Sequence, residues 1–158
     1  REICLKVFAE FKGVEHRMEK VDNISGVDFI NDSKATNVDS TVWALNNMIQ
    51  PAILIAGGRD KNSDYKTIAD LIRQKVKLMV LIGEAKAKIY NSLKGVLPMS
   101  EASSMEEAVR LSFKQAKSGD CVLLSPMCAS FDMFDNYEHR GRVFKEIVRD
   151  LRKEIMGR

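Results

Sequence analysis

Three short runs of this chain are apolar without a break, and each stops at residues that turn the backbone. Ala52-Ile-Leu-Ile-Ala56 stops at Gly57-Gly58, Leu78 to Ile82 stops at Gly83, and Cys121 to Leu124 stops at Ser125-Pro126. A strand with one wet face alternates apolar and polar residues, whereas a strand covered on both faces reads as a continuous apolar run. Such strands belong to parallel sheets with helices on either side. The intervening segments supply the helices. Ile68, Leu71 and Ile72 mark one, Ala85, Ile89 and Leu93 a second, and Met105, Ala108, Val109 and Phe113 a third, headed by a capping box at Ser104 and Glu107. Phe144, Ile147, Val148, Leu151 and Ile155 line one face of a long last helix.

Ahead of the first run, Val38, Val42, Leu45 and Ile49 fall on one helical face. Arg17 to Ile24 and Val27 to Asn31, separated by Ser25-Gly26, read as a strand pair, and Ile3, Val7, Phe8 and Phe11 as a short helix ending at Gly13. Strands alternating with helices predict an open α/β sheet. No repeat, low-complexity tract or long linker divides the chain, so residues 1–158 are expected to form a single domain. In open α/β sheets ligands sit at the carboxyl ends of the strands. The functional loops are therefore expected at Asn31 to Asn37, Gly57 to Asp64, Gly83-Glu84 and Ser125 to Tyr137.

Composition narrows the function classes. With 45% hydrophobic and 30% charged residues the sequence is that of a soluble globular protein, and the net charge of +3 is dispersed among acids without a basic block. Nucleic-acid binding gains little from that pattern, which suits anionic small molecules equally well. No run is long enough to cross a membrane, and nothing at the start resembles a signal peptide. The chain opens on Arg1 and runs at once into a helical pattern, as expected of a piece of a longer polypeptide. Cys4, Cys121 and Cys128 lack metal-type spacing; Cys4 and Cys121 sit in apolar runs and read as buried free thiols of a reducing cytoplasm. Two distant histidines do not make a metal site on their own.

Three segments carry chemistry. In Ile30-Asn-Asp-Ser-Lys-Ala-Thr-Asn37 a strand ends in small polar groups and one lysine ahead of a helix; Lys34, the Ser33 and Thr36 hydroxyls and the helix-start amides could hold an anion, or merely cap the helix. In Gly57-Gly-Arg-Asp-Lys-Asn-Ser-Asp64 the glycines allow a close backbone approach to a ligand or a sharp turn, and Arg59 and Lys61 project above the sheet. It is neither a Walker phosphate loop nor a dinucleotide fingerprint. In the loop from Ser125 to Tyr137, Ser130 and nearby amides could bind a carboxylate, with Phe131, Phe134 or Tyr137 as an apolar wall; Phe134 reads better as core. Cys128 is a poor nucleophile, because His139, the only histidine close in sequence, lies on the next helix without an orienting partner.

Taken together, Phe29-Ile-Asn-Asp-Ser-Lys-Ala-Thr-Asn-Val38, Gly57-Gly-x-x-Lys61, Leu124-Ser-Pro-x-Cys-Ala-Ser-Phe-Asp132 and Glu138-x-Arg-Gly141, preceded by Glu15-His-Arg-Met-Glu19, occur in an order that strongly resembles the C-terminal third of the D-glutamate-adding members of the Mur ligase family. The resemblance runs from about Phe8 to Leu151, and the Asp-Asn-Pro-Arg motif of the diaminopimelate-adding members is missing. It implies a Rossmann-like three-layer sheet, mostly parallel with one antiparallel edge strand. It also implies an ATP-dependent ligation in which a carboxylate of UDP-N-acetylmuramoyl-L-alanine is phosphorylated and the amine of D-glutamate attacks the acyl phosphate.

By that similarity Thr36 and Lys61 bind carboxylate oxygens of D-glutamate, and Ser130, with the Phe131 amide, binds the other carboxylate. Tyr137 stands where the family usually has a phenylalanine near the substrate, its added hydroxyl either idle or touching a carboxylate. Arg17 and Asp32 match positions at the adenine nucleotide, Asp32 as acceptor for ribose hydroxyls, and Lys34 lies near the phosphates or the muramoyl substrate. Glu138 and Arg140 hold the loop. The Walker loop, the magnesium ligands and the muramoyl pocket belong to two preceding domains, so no catalytic or metal-binding residue is expected in this chain. ATP and Mg2+ would be held mainly by the central domain, and the stretch from Glu10 to Gly13 would lie near a hinge. The whole enzyme is expected to be a cytoplasmic monomer that binds neither nucleic acid nor membrane. The alternatives are another amide-forming ligase of the superfamily, such as a folylpolyglutamate synthetase, and a stand-alone anion- or nucleotide-binding module.

Overall fold

The computed structural model describes residues 13–157; the expected helix over Ile3 to Phe11, Cys4 and the Glu10 side of the expected hinge lie outside them. Six strands, β1 (Glu19–Ile24), β2 (Val27–Asn31), β3 (Ala52–Gly57), β4 (Val76–Ile82), β5 (Met99–Glu101) and β6 (Cys121–Leu124), form one sheet in the order β1-β2-β6-β3-β4-β5. β1 pairs with β2 antiparallel, and every other pairing is parallel. The helices are α1 (Val38–Asn46), a 3-10 turn (Tyr65–Ile68) that runs into α2 (Ala69–Lys75), α3 (Lys86–Leu93), α4 (Met105–Gln115) and α5 (Tyr137–Met156).

Why the central runs are uniformly apolar is now visible. In β3, Ala52, Leu54 and Ala56 face a core built with α1, α2 and α3, while Ile53 and Ile55 face a second core built with α4 and α5. All six residues of β3 are buried. At roughly 1.5–3 kcal/mol for each large aliphatic side chain taken fully out of water, such strands tie the three layers together. Phe134 packs against the second core, as expected of it.

Three local features depart from what the sequence predicts. α1 stops at Asn46, leaving Ile49 95% exposed while Met48 turns into the core. The helix is closed there by Asn47, whose backbone N–H reaches Trp43 O and Ala44 O and whose side-chain amide donates to Trp43 O at 2.8 Å. β5 was not foreseen: three half-exposed residues at a sheet edge carry no apolar run. The capping box of α4 forms with a one-residue offset. Glu107 N–H donates to Ser104 Oγ at 3.1 Å, but the Glu107 carboxylate accepts from Ser103 N–H at 2.7 Å.

The strand order creates the place for a site. β6 returns between β2 and β3, and the chain leaves β2 and β3 for one face of the sheet but leaves β6 for the other. Neighbouring loops diverge at such a switch point and open a crevice above the strand ends.

Candidate functional site

A cavity of about 500 Å³ lies in that crevice, lined by Thr36 from the loop after β2, by Arg59, Asp60 and Lys61 after β3, and by Ala129, Ser130, Phe131, Asn136, Tyr137 and Glu138 after β6. All five residues singled out for one amino-acid ligand therefore meet in one groove. Ser130 is 2% exposed and Phe131 60%, so the groove has a recessed hydroxyl and an aromatic rim.

Its cations differ in availability. Arg59 pairs with Glu84 at 3.3 Å, whereas Lys61 makes no ion pair among the described residues. The carboxylate of Asp60 is committed: it accepts from Lys88 Nζ at 2.6 Å and from Tyr65 Oη at 2.8 Å. Burial alone would raise its pKa, but these bonds and that from Ser63 N–H outweigh burial and hold it at about 2. Lys61 is thus the uncommitted charge of the groove, suited to a carboxylate. The Tyr137 hydroxyl is held above the ordinary tyrosine range by its hydrogen bond with the Glu138 carboxylate, by burial and by the charge of Glu138.

The loops are held to one another by backbone and by one buried cation. Arg59 and Ala129 exchange two backbone hydrogen bonds, of 2.9 and 3.1 Å, which pull the β3 loop onto the β6 loop. Gly58 serves this approach, since a Cβ on it would lie 2.3 Å from Ala129 O, whereas a Cβ on Gly57 would lie 2.0 Å from Ile82 O of the neighbouring β4. Arg140, 1% exposed, donates from Nε to Ser33 Oγ at 2.9 Å, from Nη2 to Ser33 O at 2.8 Å and from Nη1 to Cys128 O at 3.0 Å. Burial lowers its pKa to about 10, so it remains a cation at neutral pH while clamping the β2 and β6 loops. The Gly83-Glu84 loop lines neither cavity. It buttresses the others through Glu84 N–H to Asp132 Oδ2 at 2.9 Å.

A second, smaller cavity of about 120 Å³ lies beside the first, lined by Arg17, Asp32, Lys34, Ala35, Ser40 and Trp43. It gathers Arg17 and Asp32, expected at the adenine nucleotide, with Lys34, expected near the phosphates or the muramoyl substrate. The Lys34 ammonium lies 5.8 Å from the centre of the Tyr137 ring, so Lys34 and Tyr137 meet where the two cavities adjoin. Asp32 accepts from Ser125 Oγ at 2.8 Å and from Met18 N–H at 3.2 Å, and Thr41 Oγ1 stands 2.9 Å from Ser125 Oγ. Burial pushes its carboxyl up to about 6 against the pull of those bonds and of Arg17.

The loop bearing Arg17 is anchored by His16, whose carbonyl accepts from Lys34 N–H at 3.0 Å. The Asn31 amide donates to Glu19 Oε2 and to His16 Nδ1, each at 2.9 Å, which places any proton of a neutral His16 on Nε2. Burial lowers the His16 pKa in agreement. Cys128 is buried with its thiol pushed up to about 11 by burial, so it is no nucleophile. Among the described residues no group of acidic, cysteine and histidine side chains could hold a metal ion.

Several contributors escaped the reading of the sequence. Asn136 lines the groove and caps α5 by accepting from His139 N–H at 2.7 Å; asparagine directly before an apolar-periodic stretch was the available signal. Thr41 and Trp43 carried none, because they meet Ser125 or the cavity of Asp32 only through the fold, and Ser125 was legible only as the start of the loop after β6.

The sequence profile described as Mur ligase, glutamate ligase domain matches residues 16–128. The UDP-N-acetylmuramoylalanine--D-glutamate ligase of Chlorobaculum parvum is 52% identical over 143 residues, covering 90% of this chain and 31% of that protein. The ligase of the same name from Caldicellulosiruptor saccharolyticus is 53% identical over 151 residues, covering 94% of this chain and 33% of that protein. The chain thus spans about a third of the length of the curated relatives it matches. Among solved structures, the MurF ligase from Thermotoga maritima in complex with ADP superposes with a TM-score of 0.60 at 14% identity, over 90% of this chain and 33% of that one. E. coli FolC in complex with ADP superposes with a TM-score of 0.61 at 16% identity, over 89% and 33%. At those identities the structures speak for the fold alone, a mostly parallel α/β sheet with one antiparallel edge. The profile match and the motifs converging on one crevice make this chain a member of the Mur ligase family, by its glutamate ligase domain.

Proposed function

We propose that residues 1–158 are the amino-acid-binding domain of a longer, three-domain, ATP-dependent ligase that joins D-glutamate to UDP-N-acetylmuramoyl-L-alanine through an acyl phosphate. The observation that carries this reading is the meeting of Thr36, Lys61, Ser130, Phe131 and Tyr137 in one groove, beside a second cavity with Arg17, Asp32 and Lys34. A dianionic amino acid placed there meets the uncommitted ammonium of Lys61 and the Thr36 hydroxyl at one carboxylate, with Ser130 and the Phe131 N–H at the other. ATP is held in part by Arg17 and Asp32. Lys34, at the junction, screens phosphate charge as the amine approaches the acyl carbon. Mg2+ and most of the ATP contacts belong to the rest of the polypeptide. Relatives named for D-glutamate ligation at about 50% identity support the choice of amino acid. No helix among the described residues is long and apolar enough to cross a membrane. The whole enzyme is proposed to act as a cytoplasmic monomer on a nucleotide-linked substrate.

The test is ligation by the full-length polypeptide with a panel of amines, including D- and L-glutamate. D-Glutamate is expected to be consumed in strong preference; preference for L-glutamate, as in a folylpolyglutamate synthetase, would overturn the assignment. Lys61→Ala and Ser130→Ala are expected to raise KM for D-glutamate by roughly tenfold or more, since a hydrogen bond with an ionised partner contributes about 1.5–3 kcal/mol.

A further inference from the structure

α1 buries Val38, Thr41, Ala44 and Leu45 and sends the only tryptophan of the chain outward: Trp43 is 55% exposed. Helical side chains lean toward the N-terminus of their helix, so the indole lies over the turn of Ser40, its partner in lining the smaller cavity. Two cations, Arg17 and Lys34, line the same cavity, yet neither sits over the indole; Lys34 is over Tyr137 instead. Among the described residues Trp43 has no aromatic or cationic partner, and more than half of its surface is exposed.

A flat apolar face, a buried carboxylate and two cations around about 120 Å³ suit one ligand chemistry better than others. A simple anion would satisfy the cations and leave the indole and Asp32 without a purpose. An aromatic side chain of a protein would satisfy the indole and leave the charges. A nucleoside polyphosphate uses all of them, with its base on the indole, its ribose hydroxyls on the carboxylate and its phosphates toward the cations. The volume is well below the ~300–1,000 Å³ of a site that encloses a whole ligand, so the cavity grips one end of it.

We infer that Trp43 forms the wall on which the purine base of ATP stacks, and that it thereby sets base affinity independently of the phosphate contacts. The inference rests on the nucleotide reading of this cavity given above. Removing the indole leaves the core intact, because Trp43 is not part of it.

Calorimetric titration of the full-length polypeptide tests this with two probes: ATP, and inorganic tripolyphosphate, which has neither base nor ribose. Trp43→Ala is expected to weaken ATP roughly tenfold or more, in line with the usual contribution of one base–aromatic stack, and to leave tripolyphosphate unchanged. Trp43→Phe, which keeps a ring, is expected to stay within about threefold of the parent. Unchanged ATP affinity in Trp43→Ala would overturn the inference, and so would equal weakening of both probes, which marks a local rearrangement. Arg17→Ala and Asp32→Asn, titrated alongside, separate the two levels of the argument. If they weaken ATP and Trp43→Ala does not, only the stacking assignment falls; if none of the three does, the nucleotide reading of the cavity falls with it.

Discussion

The Asp32 carboxyl is buried and titrates at about 6 in the folded domain against 3.8 as a free side chain. Between those values the folded protein binds a proton that the unfolded chain does not. Stability therefore falls as pH rises from about 4 to about 6 and stays lower above that. The difference corresponds to about 3 kcal/mol at most. Asp32→Asn keeps the shape, an acceptor for Met18 N–H and a partner for Ser125, without the buried charge. It is expected to be more stable than the parent by up to about 3 kcal/mol near pH 8, with the gain shrinking to nothing near pH 4, as measured by urea denaturation across pH. His16 contributes the opposite trend. Its pKa is lowered on folding, so its part of the stability is present above 6.5 and is lost as pH falls from there through the lower folded value. Comparing parent with variant at each pH cancels that background.

At the scale of one element, α5 does more than pack. Its Arg140 clamps the loops after β2 and β6 without touching the groove, and replacing it leaves Ser33 O and Cys128 O without their buried donor. Arg140→Met is expected to cost about 2–4 kcal/mol in urea denaturation and, on the proposed function, to weaken D-glutamate binding as Ser130 loses its support. Its neighbour Gly141 faces His16, and a Cβ there would lie 2.1 Å from His16 Nδ1. Gly141→Ala should gain about 1 kcal/mol of helix propensity and lose more, about 1–3 kcal/mol, by displacing a buried, hydrogen-bonded ring. The net is a lower Tm and, on the proposed function, weaker ATP binding through the Arg17 loop. Neither role was legible in the sequence beyond a general holding role for Arg140. The apolar periodicity of Phe144, Val148 and Leu151 announces the helix because it is local, whereas the partners of Arg140 lie 107 and 12 residues away. The same distinction runs through the rest of the fold. The runs of β3, β4 and β6 and their turns could be read directly, and with them the loops that carry Thr36, Lys61 and Ser130. That β6 inserts between β2 and β3 could not be read, because strand order is a property of non-local pairing. Ile49 misled because helical spacing continues past the asparagines that end α1.

Across the whole molecule, one sheet serves two cores, and the site sits where the chain changes faces. The sequence contains no Gly-Lys-Ser/Thr phosphate loop. On the proposed function, the 158-residue chain expressed alone is expected to fold, to give a mixed α/β circular dichroism spectrum, and to release no phosphate from ATP with or without D-glutamate. Phosphate release above background by the purified piece would contradict the division of labour proposed for the longer enzyme. The Arg59–Ala129 bridge and the Arg140 clamp add a thermodynamic consequence. The backbone of three loops is already fixed in the free domain, so little conformational entropy remains for the protein to lose when a ligand arrives. On the proposed function, the heat and heat capacity of amino-acid binding should then reflect contacts with the ligand itself and not the ordering of loops around it.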